Sequence, residues 1–145
     1  MRVIEKTEEL YGRIEDITHA SFFRTQRPSC LSLHFEFDHG DIFVDRLGQD
    51  EDKASSYAIV SEQGGQPFIW SIATDPLRRQ QGLAAMLLRE IIGYYRDLGK
   101  GRIDLTVHID NPAQKLYFDH GFRVVRAIPR YYGEESGLRM RRLYV

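Results

Sequence analysis

A chain of 145 residues with 42% hydrophobic and 28% charged side chains has the size and composition of one soluble domain, long enough to hide roughly 70% of its unfolded surface. A formal net charge of −1 argues against a dedicated nucleic-acid binder, which needs clustered positive charge to neutralise phosphates. No apolar run reaches the ~18 residues of a membrane span, the opening MRVIEKTEEL is too charged for a secretory signal, and the single cysteine, Cys30, cannot close an internal disulfide, so a cytoplasmic protein is expected.

Residues 5–23 predict a helix, since Leu10, Ile14 and Ile17 recur at helical spacing after the start signal at Thr7. A connector follows over 24–30, punctuated by Pro28, with Cys30 expected as a buried inert thiol. Leu31, Leu33, Phe35 and Phe37 alternate with Ser32, His34, Glu36 and Asp38, and Asp38–Asp41 looks like a turn, so residues 31–46 predict a β-hairpin. Residues 48–56 are polar and predict a loop. Tyr57–Ser61 and Pro67–Ala73 predict strands around a Gly64-Gly65 turn, the second apolar on both faces as in a covered central strand.

Ala84, Leu87, Leu88, Ile91, Ile92, Tyr95 and Leu98 form the apolar stripe of a long helix stopped by Gly99. Ile103, Leu105, Val107 and Ile109 alternate with Asp104, Thr106, His108 and Asp110 in another strand. Its polar face, in a strand that should be central, is expected to line a wet cleft. A short helix over 112–120 opens near Pro112 and closes at Gly121, and two last strands, 122–128 and 138–144, flank a turn region at Tyr131-Tyr132-Gly133. The strand–helix–strand unit over 67–109 should be a right-handed parallel crossover in an otherwise antiparallel sheet. The fold class is therefore α/β: a single domain over 1–145 with a mixed, mostly antiparallel central sheet flanked by helices.

The chemistry concentrates at Arg78-Arg79-Gln80-Gln81-Gly82-Leu83-Ala84, between a buried strand and the long helix. The first turn of a helix leaves N–H groups unpaired at the positive end of its dipole. A pyrophosphate satisfies both where small residues let the backbone come close; a connector that points arginines at water has the same composition.

Arg79-x-x-Gly82-x-Ala84, after a strand and opening a helix, resembles the coenzyme A loop of the GCN5-related N-acetyltransferase (GNAT) superfamily. Asp110-Asn111-Pro112-Ala113 through Leu116-Tyr117-Phe118-Asp119-His120-Gly121-Phe122 is similar to that family's Asn…Ala…Leu-Tyr-x-x-x-Gly-Phe segment. Ile128–Tyr132 and Met140 resemble the ending of its N-terminal-amine (ribosomal-protein-type) branch. The match covers residues 57–145, and no strand is read before the first helix. The resemblance implies a sheet splayed between the strands near 67–74 and 102–109, with acetyl-CoA as acyl donor and no metal. It implies that Ile72, Ala73 and Thr74 pair with the pantetheine arm, that Arg79, Gln80, Gln81, Gly82, Leu83 and Ala84 hold the pyrophosphate, that Asn111 contacts the cofactor arm, and that Tyr117 protonates the leaving thiolate. The alternative for Tyr117 is an aromatic capping the core with Leu116 and Phe122; for Asn111 it is a helix cap before Pro112.

Two departures stand out. Asn111 and Tyr117 are one residue closer than in the family pattern, and Thr106 occupies the position where the branch often carries a Glu or His acting on the amine. His108 has the pKa range of a base, with a structural histidine as the alternative. Tyr131 and Tyr132 either flank the acceptor entrance or pack. The acidic residues from His34 to Asp52 are expected to form a solvated face or to attract a cationic amine, and the arginines between Arg123 and Arg142 to protect a sheet edge. The expected function is direct acetyl transfer to an amine, whether a protein N-terminus, a lysine or a small amine, by a monomer or homodimer that uses neither nucleic acid nor membrane. A non-catalytic acyl-CoA sensor or partner-binding module is the alternative.

Overall fold

The computed structural model describes residues 1–22, 28–45 and 53–144. Helices α1 (Glu8–Ser21) and α2 (Cys30–His39) precede strands β1 (Asp41–Val44), β2 (Ser56–Gln63) and β3 (Gln66–Thr74); then come α3 (Leu83–Asp97), β4 (Arg102–His108), α4 (Gln114–Asp119), β5 (Arg123–Tyr132) and β6 (Glu135–Leu143). The six strands form one sheet in the order β1-β2-β3-β4-β6-β5, antiparallel except for β3 and β4. Among the described residues no helix is long and apolar enough to cross a membrane.

One core cluster packs α3 and α4 on one face of the sheet, through Leu87, Leu88, Ile91, Tyr117 and Phe122. The other packs α1 and α2 on the opposite face, through Leu10, Ile14, Ile17, Leu33 and Phe37.

The expected hairpin over 31–46 is instead α2 followed by β1. Leu33 and Phe37 are four residues apart and share one helical face, which is buried, while Leu31 and Phe35 lie on the other and are exposed. The Ser29 hydroxyl accepts from the Ser32 amide as an N-cap. The helix ends at Gly40, where the backbone turns extended, and a side chain there is excluded because a β-carbon would lie 2.8 Å from the Glu36 carbonyl oxygen and 2.9 Å from that of Val60. Cys30, expected buried, is exposed in the first turn of α2.

Residues 1–3 add a strand-like contact where none was read: Arg2 bridges Phe43, and the Val3 amide donates to the Ile42 carbonyl at 2.7 Å. Most of the connector at 24–30 and of the loop at 48–56 lies outside the described residues. Tyr131 and Tyr132 end β5 rather than forming a turn, and Gly133, with φ +68°, begins the reversal into β6.

The sheet is discontinuous at its centre. β3 and β4 pair only at Phe68↔Asp104 and Ile69↔Leu105. There β3 carries one extra residue, Trp70, between the pairs Ile59↔Ser71 and Val60↔Ile69. A bulge bends its strand, and this one sits where the parallel pairing stops. Beyond it, β3 remains paired to β2 through Thr74, and β4 to β6 through His108. Their inner edges diverge into a wedge, as the sequence resemblance implied.

The polar face of β4 divides. Asp104 belongs to no cleft: it is buried and held by Arg141 at 2.9 and 3.1 Å and Arg139 at 3.3 Å. Burial works to raise its pKa, yet hydrogen bonds and charge from Arg141 and Arg139 keep it below the usual carboxylate range. Arg139 and Arg141 therefore sit on an inner strand as counter-ions; the edge strand is β5.

Candidate active site

Two cavities meet in the wedge. The larger, of roughly 950 Å³, runs from the edge of β3 (Ile72, Ala73, Thr74) over Arg79, Gln80, Gly82, Leu83 and Ala84 to His108, Asn111 and Tyr117. The smaller, of roughly 690 Å³, is bounded by α2, Phe68, Trp70, Thr106, Tyr131 and Tyr132. Phe22, Ile72, Asn111, Ala113 and Tyr117 line both. Of the residues named from sequence as loop contacts, Gln81 is the one that does not line the larger cavity.

The loop between β3 and α3 leaves backbone amides free at a helix end. Asp75 starts a 3-10 turn, Pro76–Arg78, by accepting from the Leu77 amide. Its other oxygen accepts from Arg13 at 2.7 Å, which ties α1 to the loop. These bonds, that to Arg13 first, hold its pKa down. Gln80 and Gly82 take φ of +65° and +75°; glycine adopts this conformation at 82 without the strain a side chain brings, and the space above it is open, since a β-carbon there would meet nothing within 4 Å. Gly82 caps α3 without any side-chain bond. The first intrahelical bond runs from Met86 to Gly82, so the amides of Leu83, Ala84 and Ala85 find no carbonyl one turn back. They face an open cavity at the positive helix end, beside Arg78 and Arg79.

Tyr117 is buried in the α3–α4 core and meets Phe122 edge-on at 6.2 Å. Its hydroxyl has no hydrogen-bond partner among the described residues, and burial pushes its pKa up to about 12. The ring thus packs as a core aromatic while the residue lines both cavities. The Asn111 side-chain oxygen accepts from the Ala113 amide at 2.9 Å in an Asx turn ahead of α4, whose N-cap is Ala113 rather than Asn111, and Asn111 lines both cavities. Gln114 braces this turn by donating to the Ile109 carbonyl at 2.6 Å.

His108 is 4% exposed and both of its ring nitrogens are engaged. Nδ1 accepts from the Asp110 amide at 3.0 Å, which places the proton on Nε2, and Nε2 donates to Glu135 at 2.6 Å. Glu135 was not singled out from sequence; it reaches His108 only because β6 pairs with β4, a non-local contact with no sequence signal. Thr106 lines the smaller cavity, and its buried hydroxyl has no hydrogen-bond partner among the described residues. Tyr132 donates to the Thr106 carbonyl at 3.3 Å and meets Tyr131 edge-on at 4.8 Å; burial raises its pKa.

Glu36, expected on a strand face either solvated or attracting a cationic amine, lines the smaller cavity from α2. Burial raises its pKa, with the charge of His39 working the other way.

A family model for the GNAT acetyltransferases matches residues 11–122, and the chain belongs to that family. Its fold is shared by the NatC complex bound to Gag peptide and CoA (17% identity, TM-score 0.80, 100% of this chain and 98% of that one). It is shared equally by the ribosomal-protein-S18-alanine N-acetyltransferase from Escherichia coli (22%, 0.80, 99% and 94%). The IAA acetyltransferase from Bacillus cereus is similar too (16%, 0.79, 99% and 100%). No curated protein matches the chain at the level of sequence.

Proposed function

We propose that this acetyltransferase moves an acetyl group from acetyl-CoA to a primary amine by direct transfer, with the donor in the larger cavity and the acceptor in the smaller. The observation that carries the reading is the position of Tyr117, common to both cavities at the mouth of the wedge.

The residues fit the donor. Free amides of Leu83, Ala84 and Ala85, with the left-handed Gln80 and Gly82, suit a pyrophosphate. The inner edge of Ile72–Thr74, unpaired on its β4 side, suits the amides of a pantetheine arm. Bound there, acetyl-CoA supplies an activated thioester.

The Tyr117 hydroxyl, protonated throughout the neutral range, donates its proton to the departing sulfur as the amine nitrogen bonds to the acetyl carbon. An acceptor that arrives as an ammonium first gives one proton to water in the open mouth of the smaller cavity. The neutral nitrogen then attacks, and the second proton, shed as the amide forms, passes through water and restores the Tyr117 phenol. His108 serves by position: its Nδ1 lone pair is engaged by the Asp110 amide, and its Nε2 holds Glu135 of the neighbouring strand β6 beside the larger cavity.

The sensor alternative rests on Thr106, which offers a hydroxyl where a base would stand. Two measurements separate the readings. Acetyl-CoA at a hundredfold over its Kd should stabilise the fold by ~2.7 kcal/mol, a midpoint rise of roughly 5–10 °C. Tyr117→Phe should keep that rise while lowering kcat for thiol release about 100-fold. A rise with no thiol release from any amine favours the sensor, and no rise overturns both.

A further inference from the structure

The smaller cavity is unusual in its charge. Around it stand Phe35, Phe68, Trp70, Tyr131 and Tyr132, and the polar groups include Ser32, Ser71 and Thr106. Among its described lining residues there is no lysine, arginine or histidine, and the single ionisable acid is Glu36. That carboxylate has no ion pair and no side-chain hydrogen bond among the described residues, although it is only partly exposed. Elsewhere in the molecule a carboxylate of lower exposure is heavily compensated, as Asp104 is by two arginines. Three of its lining residues are also large, solvent-exposed apolar side chains, Leu31 at 85%, Phe35 at 57% and Tyr131 at 45%, as are others elsewhere on the surface such as Ile4 and Leu77. Exposed apolar surface gathered about one cavity marks a binding site.

We propose that Glu36 is the acceptor's anchor, pairing with the ammonium of a primary amine whose body is aromatic or branched apolar and which carries no carboxylate beside the nitrogen. The proposal rests on the acetyltransferase reading and names the acceptor class for it. An ammonium entering this cavity meets one carboxylate and several aromatic faces, both of which attract a cation. Its apolar body covers Phe35, Trp70 and Tyr131. A carboxylate next to the nitrogen would face Glu36 with like charge, and no lysine, arginine or histidine among the described lining residues would receive it. The further ammonium groups of a polyamine would find no second acid among the described lining residues, and its chain offers no large apolar body to cover Phe35, Trp70 and Tyr131. Two sources supply this chemistry: a free arylalkylamine, or a peptide that begins with a large apolar residue.

The test is thiol release from acetyl-CoA by the full chain with four probes: phenethylamine, a tripeptide amide beginning with phenylalanine, free phenylalanine and spermidine. Phenethylamine or the peptide amide should be turned over, and whichever has the higher kcat/KM identifies the source. Phenylalanine and spermidine should fall at least tenfold below it. Glu36→Gln should raise KM for the preferred amine at least tenfold with kcat within about threefold, leaving the acetyl-CoA thermal shift unchanged; Glu36→Asp should recover part of the loss. The same KM in Glu36→Gln, or phenylalanine as good as phenethylamine, overturns the anchor while the transferase reading stands. Acetyl-CoA binding without thiol release from any of the four also overturns it and leaves amines of another class, whereas no acetyl-CoA binding overturns both.

Discussion

Tyr117 combines two demands in one residue. Its ring is a core element against Phe122, and core packing keeps the residue at the junction of the two cavities. The same burial raises its pKa to about 12, against about 10 for an unfolded tyrosine. Below pH 10 both folded and unfolded chains hold the phenolic proton and the ring's contribution to stability is complete. Between pH 10 and 12 the unfolded chain ionises first, binds fewer protons, and gains on the native state. Thermal midpoints measured from pH 8 to 12 should therefore fall more steeply above pH 10 for the wild type than for Tyr117→Phe. Parallel curves would mean that the hydroxyl is solvated in the folded protein. The activity profile should show no loss attributable to this acid below about pH 11. Motif and residue type made Tyr117, Gly82 and Asn111 legible in the sequence, because each sits in a local segment whose spacing reports its own turn or helix. Glu135 was not legible in that way, since it depends on β4 meeting β6. Glu36 was legible only as one of an acidic group that is either solvated or attracts an amine, because its place depends on the identity of a whole element.

That element is α2. Period-two alternation of Leu31, Leu33, Phe35 and Phe37 suits a strand, but the same four residues are two pairs at a spacing of four, and a ten-residue helix buries one pair and exposes the other. Tertiary packing against β2 decided between them, and local pattern could not. The sequence reading of α3, by contrast, rested on more than four turns of unbroken stripe, and the central strands on their apolar runs. Gly40 shows how tightly α2 is seated. Gly40→Ala would drive a β-carbon to within 2.8 and 2.9 Å of two backbone oxygens, neither of which can rotate away. Overpacking of this kind costs about 1–3 kcal/mol, or a midpoint roughly 3–10 °C lower. Gly12→Ala is the matched comparison, since Gly12 lies inside α1 with nothing within 4 Å of its would-be β-carbon; helix propensity alone should raise stability by about 1 kcal/mol. Equal effects of the two substitutions would contradict the close approach of α2 to β2.

At the scale of the molecule, the wedge is where a sheet that is otherwise continuous gives up pairing. β3 after Ile69 and β4 after Leu105 each keep a partner on their outer side only, so the two halves of the sheet are joined in this region by the residues that line the cavities rather than by a ladder. Unpaired edges cost stability unless water or a ligand completes their hydrogen bonds. A donor lying along Ile72–Thr74 would complete one of them and bridge to the α3 amides. Its binding should then appear as hydrogen-exchange protection in residues 70–74 and 82–85, with β1 and β2 unchanged because their amides are already paired. Protection that increases uniformly over the chain would indicate global stabilisation alone, and protection confined to 82–85 would place the phosphates at α3 but leave the strand edge out of donor binding. The same experiment on Gly82→Glu, whose side chain would project into the open space at the head of α3 with a charge repelling phosphate, should lose both patches together if one ligand spans them.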